Sequence, residues 1–340
     1  MSSNYKEQLA EGLIALGKYL QQPDLALTAV KHAAVAKNSW FTDAEVDKAI
    51  GALADMLNEQ DLRLWVSELQ VTDKVQRVGL ILAGNIPLVG FHDVLCVLAS
   101  GHQAYIKMSS SDDQLLPFIL QKLSSFLPML AEQIIFVDKL SGFDAVIATG
   151  SNNSARYFEY YFGKVPHIIR KNRNSVAILD GTESQEEIHQ LGFDIFDYFG
   201  MGCRNVSKIY LPEGYEIKNL FEPLEHFQAI INHHKYRNNY DYQKSIYLVN
   251  RVTHFDNGFL LLKEDKALAS PLGVLHYEYY NDKAVLLQEL AKRADEIQCV
   301  VAKTGFEPDL TLAFGQSQHP KLWDYADKVN TLAFLQTLNN

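Results

Sequence analysis

Apolar positions in the first fifth of the chain recur with the period of an α-helix. Between residues 5 and 68, apolar side chains return every three or four positions. Thr42 is followed by Asp43 and Glu45, which is typical of the first turn of a helix. The pattern predicts a helical N-terminal arm, residues 1–74, that packs on the domain that follows it.

From residue 75 the pattern changes to short, continuous apolar runs, which are typical of buried parallel strands. These runs lie at residues 78–84, 104–107, 134–137, 145–148 and 165–169. Helical patterns separate them at residues 89–99, 115–127 and 154–162, and the segment Ser109-Ser110-Ser111-Asp112 predicts a helix cap. Strands that alternate with helices predict a doubly wound parallel sheet over residues 75–172.

The second half of the chain predicts another α/β domain, residues 173–315, followed by a return segment, residues 316–340. Strands are predicted at residues 175–179, 206–211, 258–262, 273–279 and 297–302. Helices are predicted at residues 184–199, 217–233 and 283–294, and the chain is expected to end with a short helix and a terminal strand. No Pro-, Gly- or Ser-rich linker separates the halves, so we expect them to dock closely with a cleft between them.

Composition argues against several classes of function. The net charge of −10 over 340 residues disfavours a nucleic-acid partner. Three cysteines do not make a disulfide framework, and they suit a reducing cytoplasm. The N-terminus does not have a signal-peptide pattern, and no apolar run has the length of a membrane span. Neither H-E-x-x-H nor paired C-x-x-C is present, so no metal site is predicted.

One predicted turn combines glycines, a thiol and a positive charge. The segment Gly200-Met201-Gly202-Cys203-Arg204 joins a predicted helix to the following strand. Glycines allow a sharp turn and the close approach of a ligand, and a neighbouring cation favours the nucleophilic thiolate. Taken alone, these residues leave open the alternative of a structural cysteine. The other two cysteines, Cys96 and Cys299, lie among apolar residues and are predicted to be in the core.

Two other strand ends carry groups that suit a nucleotide. Gly150 and Ser151 follow a strand and open a helix, where backbone N–H groups can hold a pyrophosphate. Lys107, Ser109 and Ser110 follow another strand, and their ammonium and hydroxyl groups can hold a ribose or its phosphate. Ligands bind at the carboxyl ends of parallel strands. A capped helix start and a solvated lysine are the alternatives for these two segments.

Asn85 ends a further strand in the segment Gly84-Asn85-Ile86-Pro87, and its amide could donate to an oxyanion. An ordinary turn residue is the alternative. The basic run Arg170-Lys171-Asn172-Arg173 lies where the two halves join. It could contact substrate phosphates, or it could form a solvated loop.

Together these segments resemble the LuxC-like acyl-CoA reductases, a branch of the aldehyde dehydrogenase superfamily. The resemblance covers residues 75–340 and includes the strand ends at Asn85, Lys107 and Gly150 and the Cys203 turn. Its most specific parts are two C-terminal segments, Phe314-Gly315-Gln316-Ser317-Gln318 and Leu322-Trp323-Asp324-Tyr325-Ala326-Asp327. The resemblance implies an aldehyde-dehydrogenase-like fold, with a nicotinamide-binding domain over residues 75–172, a catalytic domain, and an active site in the cleft between them.

The resemblance also implies a mechanism and the residues that perform it. Cys203 is implied as the nucleophile that attacks an acyl thioester and releases coenzyme A. The acyl-enzyme thioester then accepts hydride from the reduced nicotinamide, and the aldehyde leaves. Asn85 and the backbone N–H of Cys203 are implied to stabilise the oxyanion.

For the cofactor, the resemblance assigns the adenosine ribose to Lys107 with Ser109 or Ser110, and the pyrophosphate to Gly150 and Ser151. Where members selective for NAD have an acidic residue after the lysine, this chain has Ser110. A hydroxyl can donate to a 2′-phosphate that a carboxylate would repel, so NADPH is expected, with NADH compatible.

Two departures from aldehyde-oxidising members bear on the direction of the reaction. Such members carry a Glu that acts as the base for hydrolysis, and counting back from Ser175 places Arg170 there. Without that base the acyl-enzyme should hydrolyse slowly, which favours thioester reduction. A second Glu, which contacts the nicotinamide ribose, is replaced by Ser270 before Pro271-Leu272-Gly273.

The sequence leaves two other functions open. The first is an acyltransferase or thioesterase that uses Cys203 without redox chemistry, although no His lies beside Cys203 in the sequence. The second is a non-catalytic scaffold that forms oligomers. The expected partners are a long-chain acyl-CoA or another acyl thioester, further copies of the chain in a homo-oligomer, and an acyl-donor protein.

Overall fold

Two separate sheets organise the chain, each in its own folding unit. The computed structural model describes residues 2–72, 74–307 and 311–338. The first unit comprises Met1–Asn172 with His319–Asn340, and the second comprises Arg173–Gln318. The C-terminal residues therefore belong with the N-terminal part of the chain rather than with the segment that immediately precedes them.

The first unit opens with four helices, α1 (Ser2–Gln21), α2 (Leu25–Lys37), α3 (Asp43–Met56) and α4 (Glu59–Glu68). Side-chain caps set three of their starts, because Asp24, Thr42 and Asn58 each accept a hydrogen bond from a backbone N–H of the first turn. The Tyr5 hydroxyl donates to Leu98 O at 2.8 Å, which joins α1 to the α/β part of the same unit.

The rest of the first unit is a five-stranded sheet in which each pair of neighbouring strands is parallel. Its elements are β1 (Arg77–Ile81), α5 (Phe91–Ala99), β2 (Gln103–Lys107), α6 (Leu115–Phe126), β3 (Ile134–Phe136), β4 (Ala145–Thr149), α7 (Asn152–Phe162) and β5 (His167–Arg170). The strand order is β3-β2-β1-β4-β5. The chain moves outward from β1 in both directions, so the topological switch point lies between β1 and β4.

The second unit contains a seven-stranded sheet of order β12-β11-β6-β7-β10-β9-β8. Its elements are β6 (Asn174–Ile178), α8 (Gln185–Phe196), β7 (Val206–Pro212), α9 (Lys218–Leu224), α10 (His234–Val249), β8 (Phe255–Asp256), β9 (Leu261–Glu264), β10 (Val274–Tyr280), α11 (Lys283–Lys292), β11 (Ile297–Ala302) and β12 (Leu312–Ala313). The pairs are parallel except for β8, which runs antiparallel to β9.

Helices cover both faces of the second sheet. Alternate residues of β6 and β7 enter two separate cores, because side chains in a strand point to opposite faces. Ala177 and Ile209 pack in a core with residues of α8 and α9, whereas Val176 and Tyr210 pack with Leu286 of α11. This is the doubly wound arrangement that strand–helix alternation predicts.

The chain closes with α12 (Thr331–Thr337), which belongs to the first unit. The prediction of a terminal strand is therefore wrong. Thr331, Leu332 and Leu335 are buried on one face of α12, a spacing that suits a helix. Asn330 accepts a hydrogen bond from Ala333 N at 2.9 Å and caps the helix.

Three further predictions require correction. The helix predicted at 217–233 is split into α9, which contains Pro223, and a 3₁₀ segment, Glu225–Asn232. The predicted cap Ser109–Asp112 does not cap α6, which follows Gln114 without a side-chain cap bond. Helix α10 is absent from the prediction, because its buried face is made of tyrosines, at positions 236, 240 and 247, within a polar sequence. No helix in the described part of the chain combines the length and the apolar character that crossing a bilayer would need.

Candidate active site

The predicted nucleotide-binding segments of the first unit follow three adjacent strands. Lys107 ends β2 opposite Ile81 of β1, and Leu82 N donates to Lys107 O at 3.2 Å. Gly150 follows β4, which pairs with β1 on its other side. The segments containing Asn85, Lys107 and Gly150 thus lie at the carboxyl edge of one sheet, around its switch point, where open α/β sheets bind ligands.

The Asn85 turn packs directly on the segment that follows β2. A Cβ atom added to Gly84 would lie 2.6 Å from Ser109 Oγ, so only glycine permits this approach. Asn85 and Ser110 are exposed, while Lys107 and Ser109 are half-buried. The structure therefore brings together the predicted oxyanion donor and the predicted ribose-binding residues of this unit.

Asp112 fixes the Asn85 turn, a role that sequence reasoning missed. Its Oδ2 accepts a hydrogen bond from Leu88 N at 2.8 Å, and Leu88 adopts a left-handed φ of 61°. Burial raises the pKa of Asp112 to about 6, although the Leu88 N–H acts to lower it. The only sequence signal was its polarity next to the serines, which we interpreted as a helix cap.

Gly150 and Ser151 form a tight entry to α7. Ser151 Oγ accepts a hydrogen bond from Ser154 N at 3.2 Å, so this serine does cap the helix. A Cβ on Gly150 would lie 2.9 Å from both Ser154 Cβ and the Phe158 ring. Ser151, Asn152 and Asn153 are exposed, so the start of α7 is accessible to an anion.

Arg170 is buried and bonded to other elements of the first unit, and is not solvated. It ends β5, is buried, and forms an ion pair with Asp93 of α5. Its Nη2 also donates to Thr331 Oγ1 of α12 at 3.0 Å. The predicted alternatives for the basic run, a solvated loop or a phosphate contact, do not describe this residue, which joins three elements inside the first unit.

The Cys203 turn of the second unit begins with three consecutive left-handed residues. Tyr198, Phe199 and Gly200 have φ values of 52°, 58° and 76°. Left-handed backbone is unfavourable for the two aromatic residues. Helix α8 ends just before them, at Phe196, three residues earlier than predicted. Cys203 itself is exposed.

A single buried side chain closes the Cys203 turn. Asn205 N donates to Gly202 O at 3.1 Å, and Gly202 N donates to Asn205 Oδ1 at 2.8 Å. The Asn205 amide nitrogen donates in turn to Asp194 O at 3.2 Å and to Asp197 O at 2.8 Å. Asn205 is only 3 % exposed, and the sequence analysis gave it no role.

A second thiol lies beneath the same turn. Ser175 Oγ is 3.0 Å from Cys203 O, to which it donates, and 2.9 Å from the sulfur of Cys299. Burial raises the pKa of Cys299 to about 11, although the charge of Arg204 acts to lower it. Cys299 is therefore a protonated core cysteine at neutral pH, whereas Cys203 lies at the surface.

The Phe314–Gln318 segment, one of the most specific parts of the resemblance, is hydrogen-bonded to α8, the helix that leads into the Cys203 turn. Asp194 of α8 accepts hydrogen bonds from Gly315 N at 2.6 Å and from Ser317 N at 2.9 Å. Burial raises the pKa of Asp194 to about 6, and these N–H groups act to lower it. Because Asp194 O also binds Asn205, the segment and the turn share one anchor.

Ser270 and the histidines have local roles in the second unit. Ser270 Oγ donates to Val274 O at 2.6 Å and so stabilises its own turn. His233 stacks on Phe199 with ring centroids 4.1 Å apart, and its Nδ1 caps α10. Within the residues that the structure describes, no three His, Cys, Asp or Glu side chains are grouped to hold a metal ion.

Comparison with known proteins identifies the fold. No family model and no curated protein matches the chain. Among solved structures, an indole-3-acetaldehyde dehydrogenase complexed with NAD⁺ has a TM-score of 0.63 at 13 % identity, over 90 % of this chain and 73 % of its own. A Mycobacterium tuberculosis aldehyde dehydrogenase complexed with NAD⁺ gives 0.62 and 14 %, over 91 % and 75 %. An NAD-dependent benzaldehyde dehydrogenase from Corynebacterium glutamicum gives 0.65 and 11 %, over 89 % and 77 %.

The chain therefore has the fold of the aldehyde dehydrogenases. This confirms the predicted fold class, an α/β architecture of the aldehyde dehydrogenase type with a helical N-terminal arm.

Proposed function

We propose that this chain is an NADPH-dependent acyl-CoA reductase that converts a long-chain acyl-CoA to the aldehyde through a thioester on Cys203. The observation that carries the proposal is the exposed thiol of Cys203, presented on a turn that buried hydrogen bonds hold in place. The turn occurs in a chain with the fold of the aldehyde dehydrogenases, two of whose solved examples are complexed with NAD⁺.

Cys203 performs the acyl transfer. Its thiolate attacks the thioester carbonyl carbon, a new carbon–sulfur bond forms, and coenzyme A leaves as a thiol after taking up a proton. The adjacent Arg204 favours the thiolate. We assign stabilisation of the oxyanion to the Asn85 amide and the backbone N–H of Cys203.

The first unit suits a nicotinamide dinucleotide. Its classical strand order and the exposed start of α7 offer the usual place for a pyrophosphate, next to Gly150 and Ser151. Lys107 with Ser109 or Ser110 would hold the adenosine ribose, with Ser110 next to the 2′-phosphate of NADPH. When bound, the cofactor supplies the hydride that converts the acyl group to an aldehyde.

The environment of Arg170 supports reduction over hydrolysis. A guanidinium that is buried and paired with Asp93 cannot take a proton from water. At the position where oxidising relatives have a Glu base, this chain therefore offers no base. We accordingly expect the acyl-enzyme to persist until hydride arrives.

Acylation and reduction can be tested in sequence. The protein is incubated with palmitoyl-CoA, and the acyl group is located by peptide mass spectrometry. NADPH or NADH is then added, and aldehyde is measured as its hydrazone. We expect acyl-Cys203 in the first step, and loss of the label with one equivalent of aldehyde in the second. Cys203→Ser should abolish both steps, while Cys299→Ser, the matched control beneath the turn, should retain them.

Each other result identifies a different function. Label that decays to free acid at the same rate with and without NADPH would indicate a thioesterase. Transfer of the label to an added thiol without any aldehyde would indicate an acyltransferase. Absence of label from Cys203 with octanoyl-, lauroyl- and palmitoyl-CoA would refute covalent catalysis and favour a non-catalytic scaffold.

A further inference from the structure

Asn205 forms hydrogen bonds with both backbone groups of Gly202, the residue that precedes Cys203. It binds the N–H of Gly202 through its side-chain oxygen and the C=O of Gly202 through its own backbone N–H. These two bonds close the four-residue loop that presents Cys203. Neither bond involves the thiol, so Asn205 acts on the backbone that carries it.

The other end of the Asn205 side chain is anchored to the end of α8. Its amide nitrogen donates to Asp194 O and Asp197 O, two carbonyls that the end of a helix leaves without intrahelical partners. The loop is thereby fixed to a helix rather than to another loop. Because the side chain is buried, water cannot easily replace these bonds.

The loop needs this restraint because of the backbone before it. Tyr198 and Phe199, both left-handed, lie between the two anchored carbonyls and Gly202. Such conformations are unfavourable for residues other than glycine and persist only when surrounding bonds enforce them. Without Asn205 the segment would keep the stacking of Phe199 on His233 and the bond from Ser175 to Cys203 O, but it would lose its attachment to α8. We expect Cys203 to shift as a result.

We propose that Asn205 is the positioning residue of Cys203, holding the thiol in its exposed, reactive placement without contacting it. Among side chains of this size, asparagine alone offers both an acceptor for Gly202 N and donors for the two carbonyls. Aspartate would place a carboxylate against both carbonyl oxygens, and alanine would remove the side-chain bonds to Gly202 N, Asp194 O and Asp197 O. The proposal rests on Cys203 being the nucleophile of the proposed function.

The test measures the thiol without substrate or cofactor. Iodoacetamide alkylation of Cys203 is followed by peptide mass spectrometry from pH 6 to 10 in wild type, Asn205→Ala and Asn205→Ser, with thermal unfolding measured on the same samples. We expect both variants to shift the alkylation profile along the pH axis. Their kcat for acyl-CoA reduction should fall by about 100-fold, the cost of a displacement of about 1 Å, with a smaller change in KM.

Asn257→Ala is the matched control in the same unit. Asn257 Oδ1 accepts hydrogen bonds from Phe259 N and Leu260 N in the turn between β8 and β9, three strands from β7. It should lower thermal stability and leave the Cys203 profile unchanged. A wild-type alkylation profile in Asn205→Ser, or an equal shift in Asn257→Ala, would overturn the proposal. Because alkylation needs neither coenzyme A nor NADPH, this result stands even if the reductase assay fails.

Discussion

In the proposed function, a single side chain at the sheet edge of the first unit sets the choice between NADPH and NADH. Ser110 is exposed and lies just beyond the carboxyl end of β2. Its neighbour Ser109 packs with its Oγ against Gly84. Its hydroxyl is therefore available to a ligand at that edge. The proposed preference for NADPH depends on this one position and can be tested there.

Ser110→Glu should shift the proposed cofactor preference from NADPH towards NADH. A carboxylate repels the 2′-phosphate of NADPH and can accept a hydrogen bond from the 2′-hydroxyl of NADH. We expect the ratio of kcat/KM for NADPH to that for NADH to fall by at least about tenfold, equivalent to 1.4 kcal/mol. Ser111→Glu, an exposed neighbour, is the control and should change the ratio little. Equal effects of both substitutions would place the 2′-phosphate elsewhere.

Asp112 is a buried carboxyl whose charge lowers the stability of the fold at neutral pH. Its folded pKa, about 6, lies above the value in the unfolded chain, so the folded state binds the proton more tightly. The contribution of Asp112 to the free energy of unfolding therefore falls as pH rises from about 4 to 6. Asp112→Asn keeps an acceptor for Leu88 N and should stabilise the protein by up to about 3 kcal/mol at pH 7.

Urea unfolding of wild type and Asp112→Asn at pH 7 and pH 5 measures this effect. The advantage of the variant should shrink by about 1 kcal/mol at pH 5. Asp113→Asn is the control with the opposite sign, because hydrogen bonding to Lys37 lowers the pKa of Asp113. If the difference in free energy of unfolding between wild type and Asp112→Asn did not change with pH, the fold would not raise the pKa of Asp112.

At the scale of elements, packing decides which residue a position tolerates, and two glycines inside helices, Gly51 and Gly192, show this. A Cβ on Gly51 in α3 would have no neighbour within 4 Å. A Cβ on Gly192 in α8 would lie 2.1 Å from the Phe227 ring. The same substitution should therefore have opposite effects in the two helices.

Gly51→Ala should raise the free energy of unfolding by about 0.4–1 kcal/mol, because alanine restricts the unfolded chain without a clash. Gly192→Ala should lower it by about 1–3 kcal/mol, because Phe227 must leave its stacked position against Phe196. Denaturant midpoints of the two variants measure both effects. A stabilising Gly192→Ala would mean that α8 does not pack on Phe227 in solution.

Elements with a local sequence pattern could be predicted, whereas features that depend on tertiary contacts could not. The strands near 78–84 and 145–148 were predicted well because buried parallel strands are continuous apolar runs. Helix α10 was missed because tyrosines provide its buried face. Cys203 was predicted from its neighbours, but the roles of Asp112 and Asp194 depend on partners 24 and 121 residues away, which no local pattern reveals.

At the scale of the whole molecule, the last residues of the chain stabilise the first unit. Arg170 of β5 binds Asp93 of α5 and Thr331 of α12, and His92 contacts Leu322 O at 2.8 Å. Elements that are distant in sequence are thus joined through one buried cation. The C-terminal segment therefore contributes to the stability of this unit.

Asp93→Ala should destabilise the first unit by about 3–5 kcal/mol, because it leaves a buried guanidinium without its counter-charge. Hydrogen exchange followed by mass spectrometry should show faster exchange in α5, β5 and α12, with the strands of the second unit unchanged. Asp144→Ala, which removes the exposed partner of Arg77, is the control and should have a far smaller effect. Uniformly faster exchange after Asp93→Ala would show that the two units unfold as one.

The unequal burial of the three thiols makes the chain a natural scaffold for a single spectroscopic label. Burial raises the pKa of Cys96 and of Cys299, so neither ionises readily near neutral pH. The exposed Cys203 is left as the thiol that a maleimide fluorophore or a nitroxide can reach. One dye per chain, introduced without mutagenesis, would report directly on the surroundings of the candidate nucleophile.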